Sequence, residues 1–147
     1  MFADGMKLYG SMEAILVRES GEVEVTRKDN IIVNGGFDFI CDAIGNATRP
    51  AAMAYIGVGT GATAPAAADA ALGAQSARNA ATYAHTAGTK VFTVSATFAA
   101  GTATAALTEA GVFNAAAAGT MLDRVTFAVI NKGANDTLTV TFTFTLS

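Results

Sequence analysis

Tryptophan is absent from the 147 residues, cysteine and histidine occur once each, proline occurs twice, and only 14% of positions are charged. Each shortage closes off some chemistry. A single cysteine, Cys41, cannot form an intrachain disulfide. The single histidine, His85, sits in Tyr83-Ala84-His85-Thr86 without the cysteine or carboxylate neighbours a zinc site requires. It reads as a surface or interface residue. Nine Lys and Arg are spread along a chain of net charge −3, so nucleic acid is not an expected partner. No run approaches the roughly 20 apolar residues that span a bilayer. The opening MFADGMKLYG also lacks the apolar core of a signal peptide, so no membrane partner is expected.

What is plentiful is small. Of the 52% nominally hydrophobic residues, 33 are alanine and 34 are Ile, Leu, Val or Phe. Alanine buries little surface, so the large-residue core is that of an ordinary domain, and the length fits one. Residues 1–12 have no period and read as an extended N-terminal arm, with Phe2, Met6, Leu8, Tyr9 and Met12 as candidate interface residues. Residues 13–147 read as the single domain.

Strand signals dominate that domain. Residues 13–18 and 22–27 flank Glu19-Ser20-Gly21 as a hairpin, the second placing Val23 and Val25 on one face and Glu22, Glu24 and Thr26 on the other. From Phe37 the period changes: Phe37, Ile40, Cys41 and Ile44 form the stripe of one short helix around 36–45, which places Cys41 on a buried face. Residues 54–58 read as a strand, and 62–81 as a loop crossing with one helical turn. Residues 92–98 alternate strictly, and 105–113 form another short strand. Val125, Phe127 and Val129 alternate before a polar turn at 131–136. Leu138, Val140, Phe142, Phe144 and Leu146 then face one way, with threonines the other. Seven or eight strands with one helix predict a mainly β protein, an antiparallel β-sandwich of jelly-roll or Greek-key type.

No constellation in the sequence points to catalysis, and no metal or cofactor is expected. Gly57-Val58-Gly59-Thr60-Gly61 lacks the spacing, helix and lysine of a phosphate-binding loop and reads as a loop of close backbone approach. Glu22 and Glu24 share a strand face, but no aromatic residues flank them as in a sugar cleft, and a solvated face is expected. Glu109 stands apart, in a strand with few other charges. Its expected role is a structural ion pair with Arg78 or Arg124.

The order of several short motifs resembles small structural proteins of tailed-bacteriophage virions. These are Asn34-Gly35-Gly36, Tyr55 to Gly61, Leu72 with Arg78, Glu109 to Asn114, and Gly119 to Phe127, followed by the Thr-rich terminal strand. The resemblance covers roughly residues 30–147. Gln75 departs from it, standing where a glutamate is expected before Arg78. The resemblance implies a capsid decoration (cement) protein on the outer capsid surface of a virion assembled in the bacterial cytoplasm. Its implied partner is the major capsid protein, and it implies a homo-oligomer, with a trimer favoured, that resists internal DNA pressure passively. A tail-fibre, collar or baseplate component is the alternative in the same setting. A carbohydrate-binding adhesion module is the alternative of another class, for which Tyr9, Tyr55 and Tyr83 are the aromatic candidates.

Overall fold

The computed structural model describes residues 5–147, which form two antiparallel five-stranded sheets packed face to face, with one short helix. The strands are β1 (Leu8–Val17), β2 (Val23–Asp29), β3 (Ile31–Ile32), β4 (Tyr55–Gly59), β5 (Gln75–Ala80), β6 (Thr82–His85), β7 (Val91–Phe98), β8 (Ala105–Phe113), β9 (Met121–Lys132) and β10 (Thr137–Leu146), and the helix is α1 (Asn34–Gly45). Sheet A has the order β2-β1-β10-β7-β6 and sheet B the order β3-β9-β8-β4-β5. The chain is thus a β-sandwich, as its alternating segments predict.

The register follows the alternation. β10 lies between β1 and β7, pairing Phe142 with Met12 and Val94, and Leu138 with Leu16 and Phe98. These side chains point inward and meet Ile56, Val58, Val112 and Val125 from sheet B. Full burial of a phenylalanine such as Phe142 contributes on the order of 2–3 kcal/mol. A smaller apolar cluster of Val33, Leu72, Phe113 and Met121 lies apart from this main core.

Both pairs of sheet edges are bridged by the chain itself. β2 in sheet A passes through Asn30 into β3 in sheet B, and β5 in sheet B passes through Ala81 into β6 in sheet A. Asn30 ties the first crossing: its amide donates to the Gly10 carbonyl in sheet A, and its side chain to Asp123 in sheet B. The outermost strand of sheet A at this edge, β2, also carries Glu24, Arg27, Lys28 and Asp29, charges that discourage strand addition.

Several expectations are corrected. The N-terminal arm is shorter than 12 residues, because Leu8–Met12 is the first half of β1, paired along its length with β10 and from Ser11 onward with β2 as well. Met12 is a core residue at 1% exposure; its lack of sequence period hid a strand whose outward positions are Tyr9 and Ser11. Phe2 lies outside the described residues. The segment 75–80, read as loop, is β5, because pairing with β4 overrides the helix preference of its alanines. β6 had no clear pattern of its own and owes its place to β7. In β9 the alternation slips: a bulge opposite Leu107–Glu109 turns Val129 outward and Ile130 inward. The Val23–Val25 face of β2 points outward, so both valines are about half exposed.

The helix is corrected most. α1 forms near its expected limits, but Phe37 is 50% exposed, Ile44 is 69% exposed, and Cys41 is exposed. Gly36 is the buried helical residue, and a Cβ there would lie 2.2 Å from the Leu122 carbonyl oxygen. That close approach rotates the helix so that Phe39 and Ile40 pack against the core while the Phe37–Ile44 side faces out.

Candidate functional site: buried anchors and open surfaces

The sequence motifs converge on one structural anchor. Glu109 of β8 is fully buried, and its carboxylate accepts hydrogen bonds from the amides of Gly61 (2.9 Å), Gly73 (2.8 Å) and Ala74 (2.7 Å). Arg124 of β9 donates two more, from Nε at 3.0 Å and Nη2 at 2.9 Å, both to Oε2. Its Nη1 reaches Asp69 at 3.0 Å. Loop 60–74 is therefore pinned at both ends by Glu109 and in its middle by Arg124. The glycines of Gly57-Val58-Gly59-Thr60-Gly61 serve this approach: a Cβ on Gly59 or Gly61 would lie 2.6 or 2.5 Å from Glu109 Oε1.

Burial pushes the Glu109 carboxyl up, but the amides of Ala74 and Gly73, the Arg124 guanidinium and the Gly61 amide outweigh it and hold the group below its ordinary value. All five donors favour the charged form. This carboxylate is saturated and positioned to brace a loop.

Arg78, the other expected partner, does not reach Glu109. Its guanidinium stacks 3.5 Å over the Phe113 ring and donates to Gln75 Oε1 and to the carbonyls of Ala115 and Ala118. Gln75 thus occupies the place where a glutamate was expected, and it supplies a neutral acceptor. The arginine ties β5 to the loop that follows β8.

Two further clusters were not read from the sequence. Asp123 is fully buried where the β2–β3 crossing meets β9, accepting from the Val112 amide at 3.0 Å and from the Asn30 side chain. Burial pushes its carboxyl well above the ordinary range, against the lowering by these two donors. Asn30 Oδ1 beside it is buried without a hydrogen-bond partner among the described residues. Near the β9–β10 turn, Asp136 accepts from the amides of Gly133 (2.7 Å) and Glu19 (3.1 Å) and from Arg18, which also pairs with Glu24 at 2.8 Å. The Gly133 amide is the main cause holding Asp136 below its ordinary value. Glu24 is therefore engaged by Arg18, while Glu22 precedes β2 and is exposed. His85 is exposed on β6, its Nδ1 2.7 Å from the Val91 carbonyl oxygen.

Two surfaces remain open. The outer face of sheet A carries Thr139, Thr141, Thr143 and Thr145 of β10 beside Thr93, Ser95 and Thr97 of β7. Hydroxyl contacts join Ser95 to Thr141 (2.8 Å) and Thr97 to Thr139 (3.2 Å). Ile15, Val17, Val23 and Val25 extend the face toward β2, and Glu13 is paired there with Arg27 at 2.8 Å. The second surface is an apolar groove of about 480 Å³ between α1 and the ends of both sheets, lined by Leu8, Ile40, Ile44, Tyr83 and Phe92, with Arg49 as its cation. Tyr9 and Tyr83 are exposed at separate places, and Tyr55 packs on the smaller apolar cluster, so the three tyrosines form no common platform.

Compared with protein-family models, with curated proteins and with solved structures, the chain matches none.

Proposed function

We propose that the chain is a structural protein of a tailed-bacteriophage virion, decorating the outer capsid surface by protein–protein contact through the outer face of sheet A. The observation that carries this reading is the make-up of that face. Across β10, β7 and β6 it presents threonine, serine, alanine and valine with no ionised side chain. Threonine and valine have few side-chain rotamers to lose, so packing this face against a coat protein costs little ordering entropy. Backbone amides along β10 are already paired on both sides, which keeps the face stiff. The role is passive: burial of a pre-ordered surface, with no turnover. The motif order over residues 30–147 supports a virion protein, and the engaged state of Glu109, Arg124 and Asp136 leaves these groups to brace loops.

The test is readdition to particles stripped of the protein. Wild-type chain is expected to rebind capsids, and Thr141→Arg, which plants a charge in the middle of the face, is expected to fold normally but not rebind. Equal rebinding of the variant, or binding to isolated tails in place of capsids, overturns the assignment. Binding to oligosaccharide that is lost on Tyr9→Ala would favour the adhesion module.

A further inference from the structure

We infer that α1 is a self-association element, and that its occupant is α1 of a second copy of this chain lying parallel to it around a common axis. This contact does not depend on which particle the protein serves.

Among the described residues, nothing covers three residues on one side of α1. Phe37, Cys41 and Ile44 recur at i, i+4 and i+7, the spacing of one helical seam, and all three are exposed. The seam runs directly into the apolar groove, which Ile40, Ala43 and Ile44 line. Large apolar surface of this kind, continuous from helix to groove, marks an interaction site.

Charge then selects the partner and its direction. At about 100° per residue, Asp38 and Asp42 lie on one flank of the seam, and Ile40 and Ala43 on the other. Both aspartates are exposed and neither lines the groove. Arg49 lines the same groove as Ile40, Ala43 and Ile44, and it has no ion-pair partner among the described residues. The seam therefore has an acidic flank and a basic flank. Rotation about an axis parallel to α1 brings the flank of one copy that carries Asp42 against the groove flank of the next, which carries Arg49. An antiparallel pair instead sets acidic flank on acidic flank. The chain is complementary to itself in the parallel arrangement alone, the heterologous contact that closes into rings.

Single-cysteine chemistry reads this directly, because Cys41 is the one cysteine. In the full chain, Cys41 itself, Phe37→Cys with Cys41→Ser, and Ile44→Cys with Cys41→Ser are each treated with a short bifunctional maleimide. A parallel contact brings every residue to the level of its own counterpart, so all three forms crosslink to higher mass. Crosslinking at position 41 alone indicates an antiparallel pair and overturns the inference. A monomeric mass by light scattering for the untreated wild-type chain overturns it as well. Asp42→Arg and Arg49→Glu are each expected to weaken association at least tenfold, and the double variant to restore it. Failure of the double variant to recover, with each protein folded by circular dichroism, contradicts the charge pairing. Loss of association with capsid binding intact, or the reverse, separates this contact from the sheet A face.

Discussion

Glu109 and Arg124 face each other from adjacent strands, 2.9 Å apart and both shielded from solvent, and between them they hold loop 60–74 against sheet B. The pair is asymmetric in what depends on it. Glu109 is the shared acceptor for three backbone amides as well as the arginine, whereas Arg124 serves two carboxylates.

Removing either partner is therefore expected to be unequal. Glu109→Ala leaves three amides and the Nε and Nη2 of the buried guanidinium without their acceptor, Asp69 alone remaining to Arg124, and breaking a buried pair in this way costs about 3–5 kcal/mol. For a domain of this size that corresponds to a fall in Tm on the order of 10 °C. Arg124→Ala is expected to cost less, because the amides keep their acceptor. Thermal unfolding of the two variants side by side checks the order, and limited proteolysis in loop 60–74 checks the location.

The glycines that admit the carboxylate make a second prediction. Gly59→Ala would place a Cβ 2.3 Å from the Ala74 carbonyl oxygen, a backbone atom that cannot swing away. Overpacking of this kind costs about 1–3 kcal/mol. Denaturant melts should show that loss, whereas Gly45→Ala, with open space around the new methyl group, should lack any steric penalty.

The two fully buried carboxyls, Glu109 and Asp123, pull stability in opposite directions with pH. Glu109 is held below its ordinary value, so its stabilisation is complete above the usual carboxyl range and is lost as pH falls through the lowered folded value. Asp123 is raised, so the folded state binds its proton more tightly than the unfolded chain. Its contribution is present below about pH 3.9, the unfolded value, and is lost as pH rises toward the raised folded one. Asp123→Asn is therefore expected to remove a loss of stability on the alkaline side of pH 4 while leaving the acid limb set by Glu109 and Asp136. Tm measured from pH 3 to 8 in both proteins separates the two limbs.

Much of this architecture is legible in the sequence because it is written with period two. The alternation from Leu138 to Leu146 sets the register of β10, and the isolation of Glu109 among uncharged residues marks it for an ion pair. What is not legible depends on tertiary partners. β5 and β6 carry little alternation, and their places are set by β4 and β7. The rotation of α1 is set by Gly36 against Leu122, a contact 86 residues away that no helical period encodes. The choice of Arg124 over Arg78 is likewise a matter of register, since Glu109 lies two residues from the Gly111 that pairs with Arg124. The motifs that suggest a virion protein gather around this anchor and at the start of α1. They specify the scaffold, while the proposed contacts lie on the plainer surfaces of sheet A and the helix seam.

The proposed virion role is tested most directly by electron microscopy of phage particles made with and without this chain. A decoration protein predicts that deletion removes density from the outer capsid surface and leaves the tail unchanged. Density missing from the tail, or a particle unaltered by the deletion, contradicts it.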